Sequence, residues 1–211
     1  MRALITLVTL GVSATTLSAQ IGQERHGFWT GFSMGYGWAQ SFWERGTYGY
    51  SSNGSPVGLG TGSLKLGAAI SPHVVLGADL SLWGIGPTDQ SIYLDASGVG
   101  SLALEGYVYP DARGGFFLNG GLGKAFLFEK STGGLSWLGQ LTGTDYDVRG
   151  PEFVAGAGYD VRVSHSLSVT PAANLYWAWA PQLYWQGHPD AQYYTQYHID
   201  FSVGITYQKR R

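Results

Sequence analysis

Two short patterns in the sequence contain residue types that catalysis uses. Gly31, Ser33 and Gly35 have the spacing of a nucleophile elbow, in which a sharp turn between a strand and a helix exposes the serine. Lys124 follows a glycine as in a phosphate-binding loop, but Leu118 stands where that loop needs its first glycine. Ser33 lies within a strand-like alternation, so we reject the elbow as well.

The histidines and acidic residues are weaker candidates. The five histidines have no metal-site spacing, and Asp145 and Asp147 would give calcium only two oxygen ligands. His198 and Asp200 share a face if the segment is a strand, which makes His198 the best candidate general base. No serine can be assigned as its nucleophile. We therefore predict a non-enzymatic protein with no catalytic residue, metal or cofactor.

The elements that position these residues are strands, because bulky apolar residues alternate with small or polar ones along eight segments. In the first segment the even positions from Phe28 to Trp38 are apolar, whereas the odd positions are mostly glycine and serine. In the last segment the odd positions from Tyr197 to Tyr207 are apolar. The segments lie near 28–40, 58–70, 74–82, 101–108, 116–124, 153–162, 167–177 and 197–207.

The composition indicates that the apolar faces meet lipid. Only 12% of the residues are charged, against about a quarter in soluble domains, while 15% are aromatic. After the first twenty residues, no apolar run approaches the length of a membrane-spanning helix. The charges lie on the polar faces, as they must, since a Lys or Arg on the lipid face costs about 2–4 kcal/mol at the membrane midplane. Lys124 is the exception, and near the far interface its side chain can snorkel.

The fold class predicted is therefore all-β: a transmembrane, up-and-down, antiparallel barrel of eight strands. Short connections at 71–73, 110–114 and 164–166 alternate with long ones, which is typical of periplasmic turns and extracellular loops. We expect aromatic girdles at both membrane interfaces. The periplasmic girdle would hold Phe28, Trp29, Tyr107, Tyr109, Phe116, Phe117 and Tyr207; the outer girdle would hold Trp38, Phe42, Trp43, Trp83, Phe126, Phe128, Trp177 and Trp179. A soluble periplasmic β-sandwich is the alternative.

The N-terminus has the features of a secretory signal peptide. Arg2 precedes an apolar stretch over 3–12, and small residues over 17–19 offer a cleavage site. We predict a signal peptide at 1–19 and a barrel domain at 20–211, located in the outer membrane of a Gram-negative bacterium. The net charge of −2 argues against a nucleic-acid partner.

The last strand carries a resemblance to a known family. The segment 198–207 resembles the closing strand of small outer-membrane barrels of the outer membrane protein A and X type, and 156–171 is similar to their penultimate hairpin. Those proteins commonly end on an aromatic residue, whereas here 208–211 follow Tyr207. The resemblance implies a monomer that the barrel-assembly machinery inserts into a bilayer containing lipopolysaccharide.

Charged residues on the inward faces predict a polar layer inside the barrel. A turn centred on Pro72 would place Lys65 opposite Asp79, and a turn centred on Ala112 would place Glu105 opposite Asn119. Asp160, Arg162 and Asp200 are expected near this layer. Buried charges must be paired, so the layer is either a salt-bridged plug or part of a conducting path.

Three functions remain possible from the sequence. The first is envelope structure or surface interaction through four long loops, with contact candidates Leu135, Trp137, Leu138 and Tyr146 in the loop 129–151. The second is a narrow channel for small or hydrophobic solutes, suggested by the glycine-lined face of the first strand. The third is lipid A modification, which a few barrels resembling this one perform.

Overall fold

In the part of the chain that the computed structural model describes, twelve β-strands form one antiparallel sheet. The structure describes residues 24–45, 50–53, 57–85, 96–130, 146–180, 183–185, 188–191 and 193–210. The predicted signal peptide at 1–19 and the loop candidates Leu135, Trp137 and Leu138 lie outside these residues. Within them, no helix is long and apolar enough to span a membrane. The strands are β1 (Arg25–Arg45), β2 (Tyr50–Asn53), β3 (Val57–Ser71), β4 (Val74–Ile85), β5 (Ala96–Val108), β6 (Phe116–Lys130), β7 (Tyr146–Tyr159), β8 (Val161–Arg162), β9 (Leu167–Ala180), β10 (Leu183–Trp185), β11 (His188–Ala191) and β12 (Tyr193–Arg210).

Eight long strands close into a barrel because β1 pairs with both β3 and β12. The ring continues through β4, β5, β6, β7 and β9, with each strand antiparallel to the next. This confirms the predicted eight-stranded, up-and-down barrel. The four short strands extend it: β2 pairs with β1, β8 with β9, and β10 with β7 and β11.

The barrel wall reaches further outward than the alternation indicated. β1 runs to Arg45, and its ladder with β12 extends to the pair Glu44 and Tyr193. β7 begins at Tyr146, which pairs with Glu129 of β6. The prediction that Tyr146 belongs to a loop is therefore wrong. Backbone groups continue to pair beyond the apolar segment, where side-chain alternation gives no signal.

The outer wall of the barrel is apolar. Large hydrophobic side chains are exposed on every long strand, including Leu104 at 74% and Leu122 at 70%. The charged residues buried by the fold, such as Asp79, Glu105 and Asp200, lie on the opposite face. An apolar outside and a polar inside are what lipid on one side and a lumen on the other require.

The predicted aromatic girdles are only partly correct. Exposed aromatic side chains do lie toward both ends of the wall, at Phe28, Phe116, Tyr207, Trp38, Trp177 and Trp179. In contrast, Trp29, Trp83, Tyr107, Tyr109 and Phe117 are buried inside the barrel. These five residues occupy the same alternation phase as the inward glycines and polar residues. An aromatic residue in that phase fills lumen volume and cannot reach the membrane interface.

Pro171 lies where the ladder between β7 and β9 is interrupted. The pairs Gly158–Ala172 and Val161–Val169 keep one register across the gap. Pro171 therefore stands at a position where its missing N–H removes no pairing to β7. The backbone N–H of Asp160 instead donates to the carbonyl of Gly115 at 2.9 Å.

Close packing inside the wall predicts a contrast between two glycines. A Cβ at Gly35 would collide with the carbonyl oxygen of Phe201 and lie 2.7 Å from the Cα of Ser202. A Cβ at Gly84 would meet no atom within 4 Å. We expect Gly35→Ala to lower the free energy of unfolding by about 1–3 kcal/mol, the usual cost of overpacking, and Gly84→Ala to leave it almost unchanged. Urea unfolding in lipid vesicles, followed by tryptophan fluorescence, measures both; equal losses would contradict the packing described.

Candidate functional site: the closed polar lumen

The central ion pair of the lumen joins Lys65 on β3 to Asp79 on β4. The two residues are directly opposite in the β3–β4 register, as the position of the turn predicted. The Nζ of Lys65 lies 3.7 Å from Oδ2 of Asp79, and only 13% and 2% of their side chains are exposed. The ammonium also lies 5.3 Å from the centre of the Tyr107 ring. Lys65 is thus held between a carboxylate and an aromatic face.

Glu105 does not pair with Asn119 as predicted. The observed partners are Tyr107 for Asn119 and Gly121 for Glu105, a shift of two residues. The shift arises because Val108 pairs with Leu118, which centres the hairpin on Arg113 and not on Ala112.

Glu105 and Asn119 nevertheless meet, along the diagonal of the ladder. The Nδ2 of Asn119 donates to Oε2 of Glu105 at 3.2 Å, and the hydroxyl of Tyr107 donates to the same oxygen at 2.6 Å. Asn119 also donates to Oδ1 of Asn174 on β9 at 3.1 Å. These bonds join β5, β6 and β9, and the bond between the two asparagines passes over Gly156 of the intervening β7.

Asp200 extends the central polar layer toward β12. The hydroxyl of Thr61 donates to its Oδ2 at 3.4 Å. Above the periplasmic end, the described part of the chain buries no lysine or arginine, and Lys65, with 13% of its side chain exposed, is the cation beside the buried acidic groups. It stands against four buried carboxyl groups, at Asp79, Glu105, Glu152 and Asp200. The lumen is therefore rich in acidic groups.

Asp160 and Arg162 were expected near the Lys65 layer, but the structure places them at the periplasmic mouth. Asp160 Oδ2 lies 3.7 Å from Nη2 of Arg25 and accepts a hydrogen bond from the Tyr109 hydroxyl at 3.1 Å. Its other oxygen accepts from the hydroxyl of Thr170 at 2.8 Å. Arg162 donates to the carbonyl of Arg113. The seven predicted residues thus divide between two levels of the lumen.

Arg25 closes the periplasmic mouth. Its guanidinium carbon lies 3.3 Å from the centre of the Tyr109 ring, and its side chain is fully buried. From β1 it reaches across the barrel and donates to the backbone carbonyls of Ala112 and Gly114, in the turn between β5 and β6. Charge, ring and backbone contacts therefore connect opposite walls at this end.

Aromatic residues fill the level between the mouth and the Lys65 layer. The ring centres of Trp29 and Tyr107 are 4.8 Å apart, and Phe117 lies 5.5 Å from both Tyr107 and Tyr109. Val75 packs in the same cluster. Edge and tilted contacts of this kind are favourable and leave little free space.

A second aromatic group fills the outer half of the lumen. The ring of His198 lies 4.6 Å from Trp83 and 5.3 Å from Tyr176, measured between centres. His198 is only 3% exposed and faces the lumen, not the bilayer. Glu152 is also buried, and it lines a small cavity together with Trp83, Tyr176 and His198.

Sequence reasoning missed Arg25, Tyr109 and Glu152 as members of the lumen. Glu152 shares the inward phase of Val154, but it lies next to a segment interpreted as a loop. Arg25 could not be placed because the register between β1 and β12 shifts between Arg25 and Trp29. Gly27, with a φ of 65°, lies in this irregular stretch, where a left-handed conformation favours glycine. Gly27 is therefore the residue in the sequence that could have indicated this irregularity of β1.

Comparisons with known proteins agree with the architecture. No protein-family model and no curated protein sequence matches the chain. Among solved structures, Neisserial surface protein A has a TM-score of 0.52 at 9% sequence identity, covering 85% of this chain and 96% of that one. Outer membrane protein AlkL has a TM-score of 0.49 at 15% identity, covering 89% and 92%, and Ail of Yersinia pestis has 0.46 at 10% identity, covering 86% and 99%.

The fold and the apolar outer wall define an outer-membrane β-barrel of the small, eight-stranded type found in Gram-negative bacteria. The likeness to Neisserial surface protein A, the one of these three with a TM-score above 0.5, shows this fold. At 9% identity it shows nothing finer.

The central ion pair predicts a strong dependence of stability on Lys65. Lys65→Met leaves the buried carboxylate of Asp79 without its cation, which we expect to lower the free energy of unfolding by about 3–5 kcal/mol. The double variant Lys65→Met with Asp79→Leu removes both charges and should recover most of that loss. Urea unfolding in vesicles measures both variants. A single variant as stable as the wild type would show that the pair contributes little.

Proposed function

We propose that the protein is a non-enzymatic barrel with a closed lumen that acts in envelope structure or surface interaction through its outer connections. The observation that carries this proposal is the filling of the lumen at four successive levels. The Arg25 cluster lies at the periplasmic mouth, the Trp29–Tyr107–Phe117 cluster and the Lys65 layer follow, and the His198 group lies above them.

The remaining space in the lumen supports closure. A cavity beside Lys65 and Tyr107 has a volume of about 20 Å³, and one beside Glu152 and His198 has about 10 Å³. Each accommodates roughly one water molecule. Neither offers a solute larger than water a path past the aromatic rings.

The surroundings of His198 support a non-enzymatic role. Neither ring nitrogen makes a hydrogen bond with a described residue, so no described hydroxyl is activated as a nucleophile. Trp83 and Tyr176 pack directly against the ring. A lipid in the outer leaflet would meet the opposite face of this strand, which carries Tyr197 and Ile199.

The outer connections are the parts left to carry function. A rigid wall holds them beyond the apolar belt, and loops presented in this way commonly bind partners. The sequence at 131–145 includes Leu135, Trp137 and Leu138, which we propose as contact residues, while Tyr146 starts the adjoining strand. The closed wall leaves the long barrel strands without a free edge, which supports a monomer inserted by the barrel-assembly machinery.

A narrow channel is the second candidate, and the excess of buried carboxyl groups favours it. Asp79, Glu105, Glu152 and Asp200 against Lys65 would attract small cations. Conduction by this route requires the aromatic rings to move, since they fill the cross-section in the structure.

Planar-bilayer recordings distinguish the two candidates. We expect the purified wild-type protein to give no steady conductance. The combination of Arg25→Ala, Tyr107→Ala and Trp83→Ala should give discrete conductance steps, because it opens the mouth, the aromatic level above it and the outer aromatic group. Arg113→Ala is the matched control, since that arginine is 64% exposed and reaches only Glu24 at 4.0 Å. Steady currents from the wild type would overturn the closed-lumen proposal.

Replacement of the outer segment tests the surface role. Exchanging residues 132–144 for a glycine-serine linker of equal length should reduce adhesion of expressing cells to matrix-coated surfaces. Heat-modifiable gel migration should stay unchanged, because the described wall does not depend on that segment. Unchanged adhesion after replacement of all four outer segments would contradict the surface-interaction proposal.

A further inference from the structure

Lys124 is a cation on the lipid-facing wall. It lies on β6 in register with Leu102 of β5 and Pro151 of β7, and its side chain is exposed. The outward position before it is Leu122, which is 70% exposed. The wall around this ammonium is therefore apolar.

The wall supplies no anion to Lys124. Within the described residues, no carboxylate lies within ion-pair distance of its ammonium. Glu152, the acidic residue next to its register partner Pro151, faces the lumen and is buried. The ammonium of Lys124 is therefore open to an anion from the surrounding membrane.

The registers place Lys124 near the outer edge of the apolar belt. Leu122, Phe153 and Trp177 form one row across β6, β7 and β9. Lys124 lies one outward-facing position beyond that row, and Phe126 is the next. Trp177 is 49% exposed, in keeping with an aromatic side chain at the membrane interface. A lysine stem from this level can bring its charge to the headgroups.

We propose that Lys124 binds a phosphate group of a phosphorylated lipid A in the outer leaflet. Its ammonium group complements the phosphate charge at the interface, where such pairing is effective. The acyl chains then run toward the membrane centre over Leu122 and Leu104, the two most exposed leucines of the wall. Gly120 and Gly106, beside these leucines, leave shallow space for the chains.

Native mass spectrometry of the full barrel tests the proposal. The protein is reconstituted in nanodiscs of phosphatidylcholine with diphosphoryl lipid A, released, and the bound lipid A counted. Lys124→Met keeps the apolar stem and removes the charge, and we expect it to retain about fivefold less lipid A than the wild type. Lys124→Arg should retain wild-type amounts. Lys209→Met, an exposed cation at the periplasmic rim, is the matched control and should not change retention.

The lipid itself provides the second arm of the experiment. Enzymatically dephosphorylated lipid A keeps the acyl chains, and its retention should fall to the level of Lys124→Met. Adding inorganic phosphate at millimolar concentration should not displace diphosphoryl lipid A, because the lipid is held by its chains as well. Equal retention by Lys124→Met and wild type, or equal retention of the dephosphorylated lipid, would overturn the proposal. Heat-modifiable migration verifies that each variant is folded.

Discussion

The constraint on which the structure depends is that every backbone N–H and C=O within the membrane must find a partner in the chain itself. Lipid supplies none, so an open sheet edge would be costly. The pairing of β1 with β12 removes the edges by joining the two ends of the described chain. Once the ring is closed, each strand has one face toward lipid and one toward the lumen. The apolar residues of the alternation then face lipid, and the small or polar residues face the lumen.

Closure of a ring of eight strands also decides what the interior can be. Such a barrel is just wide enough for side chains to fill. The aromatic clusters around Tyr107 and His198 fill two levels of this interior. Lys65 and Arg25 lie beside Asp79 and Asp160, and side-chain donors bind one oxygen each of Glu105 and Asp200. A lumen filled in this way makes a conducting path difficult and leaves the outer connections and the lipid-facing wall as the surfaces that partners can reach.

Sequence and structure differ at residues whose position depends on more than alternation. The inward phase of Lys65 and Asp79 and their direct pairing could be predicted, because a tight turn at Pro72 fixes the register of its hairpin. The pairing of Glu105 could not be predicted, because the turn over 109–115 is longer and is held by hydrogen bonds from Arg25 to the carbonyls of Ala112 and Gly114. Trp29 and Tyr107 face the lumen and not the membrane interface, because the alternation phase decides the face of a strand residue, whereas aromatic residues are favoured in strands and at interfaces alike.

Local chemistry thus determined the strands, their faces and the alternation of short and long connections. These properties depend on residues two positions apart in the sequence, because such residues share a face in every β-strand. The tertiary structure alone decided that Arg25 meets Asp160, that Asn119 joins Glu105 to Asn174, and that His198 packs between Trp83 and Tyr176. These contacts join strands far apart in the chain and depend on ring closure and on the register of each hairpin. No periodicity in a single segment encodes them.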